Sequence, residues 1–152
     1  THAGRGCRRG RSQGQDVKPI VTYPDVERVT VDLLALLVYP HEPTVTVGIG
    51  VPADWTPAEP DHLQVTCDGT PAMDHPVAVH STVRIVAWSA TPTRAKELAN
   101  LALGLLLAHG GAEPIAAITP LTGMLPARDT ATRAELASFT VRVTVRSVPA
   151  TL

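Results

Sequence analysis

From Val77 to Ala108 the chain switches from alternation every second residue to a helical period. Val77, Val79, Ser81, Val83, Ile85 and Ala87 give one largely apolar face, with Ala78, His80, Thr82, Arg84 and Trp88 opposite, the pattern of a half-buried strand. Ser89-Ala90-Thr91-Pro92 stops it: Thr91 can cap a helix, and Pro92 suits the first helical position, where its missing N–H costs nothing. In that helix Ala95, Leu98, Ala99, Ala102, Leu105 and Leu106 recur at helical spacing, and Gly110-Gly111 stands where a left-handed cap is expected. From Leu101 to Ala108 it is apolar nearly all round. One sheet face cannot bury all of that, so a second surface is expected at Leu101, Leu103 and Leu107, which are candidate subunit-interface residues.

Pro24 to Val38 predicts an earlier helix with an apolar stripe at Val26, Val29, Leu33, Leu36 and Leu37, although Val29-Thr30-Val31 would also suit a strand. Thr44–Ile49 and His62–Cys67 alternate and read as antiparallel neighbours across a Pro-rich loop carrying Trp55, and Asp68-Gly69-Thr70-Pro71 reads as a turn. Ile115 to Leu125, interrupted by Pro120 and Gly123, suits an edge or bulged strand. Beyond a polar excursion at Ala127–Arg133, the cleanest strand alternates Ala137, Phe139, Val141, Val143 and Val145 with Ser138, Thr140, Arg142, Thr144 and Arg146. The expected fold class is α+β: a mostly antiparallel sheet, its last two strands a long hairpin, with two main helices on its apolar face.

Thr1 to Gln15 is rich in Arg and Gly and has no apolar period. It predicts a flexible N-terminal arm over residues 1–16, either a solvated tail or a segment docking on protein or nucleic-acid phosphate, followed by one domain over residues 17–152. With 152 residues, 44% of them hydrophobic, that domain has material for a core, but aromatics at 3% leave almost no platform for base stacking. The net charge of −1 gives no global pull toward nucleic acid or anionic membrane. No run reaches transmembrane length and no secretory signal is recognisable, so a cytosolic, membrane-free location is expected. Cys7 and Cys67 fit neither a disulfide framework nor a metal spacing.

Candidate chemistry is sparse. Six histidines do not adopt ligand spacing; His62 and His80 could meet across strands on the non-core face, where solvated or interface histidines are common. Gly48-Ile49-Gly50 has Ala53 where a dinucleotide loop needs its third glycine, and no nucleophile elbow or phosphate loop occurs. The expectation is therefore no catalytic residue, no cofactor and no metal. Arg84, Arg142 and Arg146 lie on the non-core faces of their strands; if those strands pair, they form a basic, Thr-rich surface that is either solvated or turned toward acidic partner groups or passing DNA.

The order of elements, from PDVERVTVDLLALL through VRIVAWSATPTRAKELANLALGLLL to the closing SFTVRVTVRS, resembles the tail terminator proteins of long-tailed bacteriophages, including the lambda-like family, over residues 17 to 148. The junction from Trp88 to Leu98 and the terminal FTVRVTVR strand carry most of that likeness. The resemblance implies a non-enzymatic, hexameric homo-oligomeric ring at the virion neck, assembled in the host cytoplasm. Such a ring would cap the tail-tube protein, stop tube polymerisation, meet head-completion proteins and pass DNA through its lumen; the family has no catalytic residues to carry over. Competing readings are another neck component, a small-ligand domain with its site between Trp55, His62, His80 and Trp88, and a nucleic-acid-binding module that uses the N-terminal arm.

Overall fold

A computed structural model describes residues 20–110 and 112–150; the Arg-rich arm and Cys7 lie outside the described residues. The expected α+β architecture is present: two helices cover one face of a five-stranded, mostly antiparallel sheet. In chain order the elements are β1 (Val21–Thr22), α1 (Val26–Val38), β2 (Thr46–Gly48), β3 (His62–Asp74), β4 (Ala78–Ser89), α2 (Pro92–His109), β5 (Ile115–Arg128), β6 (Glu135–Arg146) and β7 (Val148–Pro149). The main sheet runs β2-β3-β4-β6-β5, and β1 pairs with β7 in a separate antiparallel ribbon.

The central pair is β4 with β6, in continuous register from Ala78↔Arg146 to Ser89↔Glu135. Val83, Ile85, Ala87, Ala137, Phe139, Val141 and Val143 along it are fully or almost fully buried, which follows from two strict alternations meeting face to face. α2 is set as its sequence predicts. The Thr91 hydroxyl accepts from the Arg94 amide at 3.3 Å, Pro92 opens the first turn, and Gly110 at φ 72° closes the helix in a left-handed conformation that a Cβ would disfavour. Small residues at Ala95, Ala99 and Ala102 are buried beside Leu98 and Leu106, so the helix can lie close on the sheet.

Several expectations are corrected by the tertiary structure. β2 runs parallel, not antiparallel, to β3, with Thr46 opposite His62. The Pro-rich loop between them is long enough to carry the chain back to the same end of the sheet, as a parallel pair requires. Asp68-Gly69-Thr70-Pro71 is no turn; β3 continues through it with irregularities at Cys67/Gly69 and Gly69/Ala72, and Gly69 at φ 150° relaxes the strand there. The reversal comes later, where the Val77 amide donates to the Asp74 carbonyl at 2.7 Å. Val77 consequently falls outside β4 and is 59% exposed.

α1 exists, capped by Asp25, whose carboxylate accepts from the Glu27 and Arg28 amides at 3.1 and 3.3 Å. Its buried face is rotated from the expected stripe: Thr30, Val31, Leu33, Leu34 and Val38 point inward, whereas Leu36 is 70% exposed. An almost uniformly apolar run from Leu33 to Val38 leaves the inward direction open to local periodicity, and packing against β3 and α2 chooses it. α1 also takes up part of the apolar excess of α2. Leu103 and Leu107 are half-buried and pack on the core cluster, and Leu101 is half-buried too, so α2 exposes no large apolar side chain.

β5 is the expected edge strand, with irregularities at Ile115/Ala117, Pro120/Thr122 and Thr122/Leu125. Ile115 and Ile118 reach the core, but beyond them the strand leaves Leu121 and Leu125 49% and 61% exposed. The hairpin turn is tied by Asp129, which accepts from the Thr132 hydroxyl and amide at 2.5 and 2.9 Å. The Thr132 hydroxyl and then its amide hold the Asp129 carboxyl below the usual carboxylate range.

Candidate functional site

Among the described residues helices cover only one face of the sheet, and the other face holds the polar half of the strand alternations. On it β4 and β6 bring Arg84, Arg142 and Arg146 together, as the sequence predicts for paired strands. Arg84 stands opposite Thr140, Arg142 opposite Thr82, and Arg146 opposite Ala78. β5 extends two of these rows, Thr122 beside Thr140 and Thr119 beside Arg142. Threonine hydroxyls stitch the surface: Thr122 to Thr140 at 2.6 Å, and Thr144 to the His80 Nδ1 at 2.9 Å.

The basic character is partly offset. Arg84 pairs with Asp68 at 3.4 Å, and Arg146 with Glu113 at the head of β5; both pairs are well exposed and contribute little to stability. Toward the other end the face turns apolar, with half-buried Val86, Trp88 and Leu136. There the Trp88 indole N–H donates to Gln64 at 3.1 Å, and its ring meets Trp55 edge-on at a centroid distance of 5.7 Å.

His62 and His80 do not meet. His62 lies opposite Trp88, whereas His80 lies opposite Ala72 and Thr144, eight positions along β4 from Trp88. Nor is His62 a solvated histidine: it is 3% exposed, and its ring bridges the Thr46 hydroxyl at 2.6 Å and the Gly50 carbonyl at 2.6 Å. A carbonyl only accepts, so Nε2 carries the proton and the neutral ring receives the Thr46 hydroxyl at Nδ1. Burial pushes its pKa down, opposed by the hydrogen bond to Gly50. A ligand site between Trp55, His62, His80 and Trp88 therefore does not form as one pocket. The nearest hollow, about 120 Å³, is lined by Thr46, Pro52, Asp54, Trp55, Glu59 and Pro60.

Arg94 is the junction that sequence reading passes over. From the first turn of α2 it donates through Nε to Asp61 at 2.8 Å, and its Nη1 and Nη2 grip both oxygens of Glu42 at 3.0 and 2.9 Å. The hydrogen bond to Glu42 and then that to Asp61 raise its pKa further. Three segments far apart in sequence are thereby fixed at one corner: the loop that follows α1, the Pro-rich loop and α2. Replacing Arg94 with Met should destabilise the protein by about 2 kcal/mol in urea unfolding, since two partly buried carboxylates lose charged hydrogen bonds; an unchanged midpoint would make the corner ornamental. Its only local signal is a basic residue just inside a capped helix.

A second hollow of about 240 Å³ lies between α1 and the start of β5, lined by Val29, Asp32, Leu33, Leu36 and Ala112 to Ile115. Among the described residues no group of three or more His, Cys, Asp or Glu could hold a metal ion, and no helix is long and apolar enough to cross a membrane. Cys67 is a free thiol. No protein-family model matches this chain, and no curated protein is similar to it in sequence.

Proposed function

We propose that the chain is a structural, non-enzymatic virion protein of the tail-terminator kind. In this reading it forms a hexameric ring that caps the phage tail tube, ends tube polymerisation and presents a surface to the head-completion proteins at the neck, with DNA passing through the lumen. The observation that carries the reading is the half-covered sheet. Two helices seal one face, while among the described residues the other face and the outer strand are left open, with Leu121 and Leu125 exposed on an edge that a solitary domain has reason to blunt. The likeness of element order to tail terminators, from the Trp88–Leu98 junction to the terminal FTVRVTVR strand, supports it independently. Another neck component, such as a head-closure or joining protein, would differ only in its assembly partner.

Light scattering on the purified chain, alone and with tail-tube protein, tests this directly. A closed hexamer, or a monomer that becomes one on meeting the tube, is expected; a monomer indifferent to tube protein would overturn the reading. Leu121→Asp with Leu125→Asp should abolish that assembly and leave the unfolding curve nearly unchanged, because both side chains are already exposed. Leu103 and Leu107 are poorer probes, since a charge there would also disturb the core they pack against.

A further inference from the structure

One row of the open face is built differently from its neighbours. Thr82 of β4, Arg142 of β6 and Thr119 of β5 stand directly opposite one another. Opposed residues of antiparallel strands share a face, with Cβ atoms about 4.5–5.5 Å apart. The row therefore holds a guanidinium between two hydroxyls, and no acceptor charge. In the other rows of this face such groups are already engaged: Arg84 by Asp68, Arg146 by Glu113, Thr140 by Thr122 and Thr144 by His80. Among the described residues Arg142 makes no ion pair, and neither the Thr82 nor the Thr119 hydroxyl makes a side-chain hydrogen bond.

We propose that this row is a phosphate-binding position for the backbone of nucleic acid, with the Arg142 guanidinium and the two hydroxyls donating to the non-bridging oxygens of one phosphodiester. A planar fork of N–H donors flanked by hydroxyls matches that group, and Arg with Ser or Thr is the usual donor set for sequence-independent backbone contacts. An acidic protein partner fits less well. Protein interfaces are anchored by buried apolar or aromatic groups, and the row itself has none: Val86, Trp88 and Leu136 lie toward the other end of the face, and Leu121 and Leu125 on the edge strand beside it. The inference rests on strand register and stands whether or not the chain forms a ring.

Fluorescence anisotropy with a short labelled DNA duplex, across about 50 to 200 mM salt, tests it on the full chain and on a full chain in which Arg5, Arg8, Arg9 and Arg11 are alanine. In both backgrounds Arg142→Gln should weaken binding and lower the slope of log K against log salt by about 0.9, the loss of one phosphate contact. Thr82→Val with Thr119→Val should weaken binding and leave the slope unchanged. Arg142 is exposed, so its variant should keep the wild-type unfolding curve. Absence of duplex binding by the wild-type chain would overturn the proposal, as would wild-type affinity and slope in Arg142→Gln. Equal, Arg142-dependent binding of a polyglutamate peptide would also overturn it and assign the row to an acidic protein.

Discussion

Phe139→Ala should be the most damaging single truncation in this protein, costing about 3–5 kcal/mol in urea unfolding. Phe139 is the only phenylalanine in the sequence, sits 1% exposed at the middle of β6 and heads the fully buried side chains by volume. It lies opposite Ile85 in the central strand pair, under α2, with Met124 of the bulged β5 stretch packed against the same core. The core cluster it belongs to is mostly Val, Ile and Ala, short or β-branched side chains with little reach to fill a void, so the cavity should persist and the cost lie toward the upper end. A domain of this size has about 5–15 kcal/mol to lose. Phe139→Leu, which keeps most of the volume, should cost less than about 1.5 kcal/mol. Equal midpoints for the alanine variant and wild type would mean that the sheet and α2 do not close over this position.

Histidine 62 should carry the second large effect, together with a pH signature. His62→Ala removes the bridge between Thr46 and Gly50, takes away both hydrogen bonds of a ring that is only 3% exposed and opens a void in its place, for an expected loss of about 2–3 kcal/mol near neutral pH. The sign of the pH dependence follows from burial, which depresses the folded-state pKa below the ordinary histidine value. Between the two values the unfolded chain binds more protons than the folded one, so stability rises with pH. His62 therefore contributes its full stabilisation above about pH 6.5, and the contribution falls away as pH drops through the depressed folded value. In His62→Gln that part of the slope should vanish, leaving the curve governed by the carboxylates. An unaltered slope would show that His62 charges in place without penalty. Because β2 and the start of the Pro-rich loop depend on this ring, acid loosening should begin there, and amide exchange of Thr46 to Gly50 should accelerate before that of β4 and β6.

These two positions separate what the chain declares locally from what it does not. The alternation around Phe139 marks β6 as a half-buried strand, and the Thr91-Pro92 start and Gly110 end of α2 follow from hydrogen-bonding needs that neighbouring residues satisfy. The shared face of Arg84, Arg142 and Arg146 was equally legible, because strict alternation fixes the face as soon as two strands pair. His62 alternates too, and by period alone it belongs with the polar side; its burial comes from a loop folded across the sheet end, which no local pattern encodes. The corner at Arg94 is similar, since Glu42 and Asp61 approach it only through the packing of α1 and the Pro-rich loop against α2.

The sequence by itself determined the class of fold, the order of its main elements without the β1–β7 ribbon, the caps of α2 and the polar face of the central strands, all consequences of interactions within a few residues. Only the tertiary structure decided the parallel course of β2, the run of β3 through Asp68–Pro71, the inward stripe of α1 and the partners of His62 and Arg94. Strand direction depends on where a long loop returns, and an all-apolar helical run has no locally preferred inside. Burial of a polar ring is settled only when distant segments supply its hydrogen bonds.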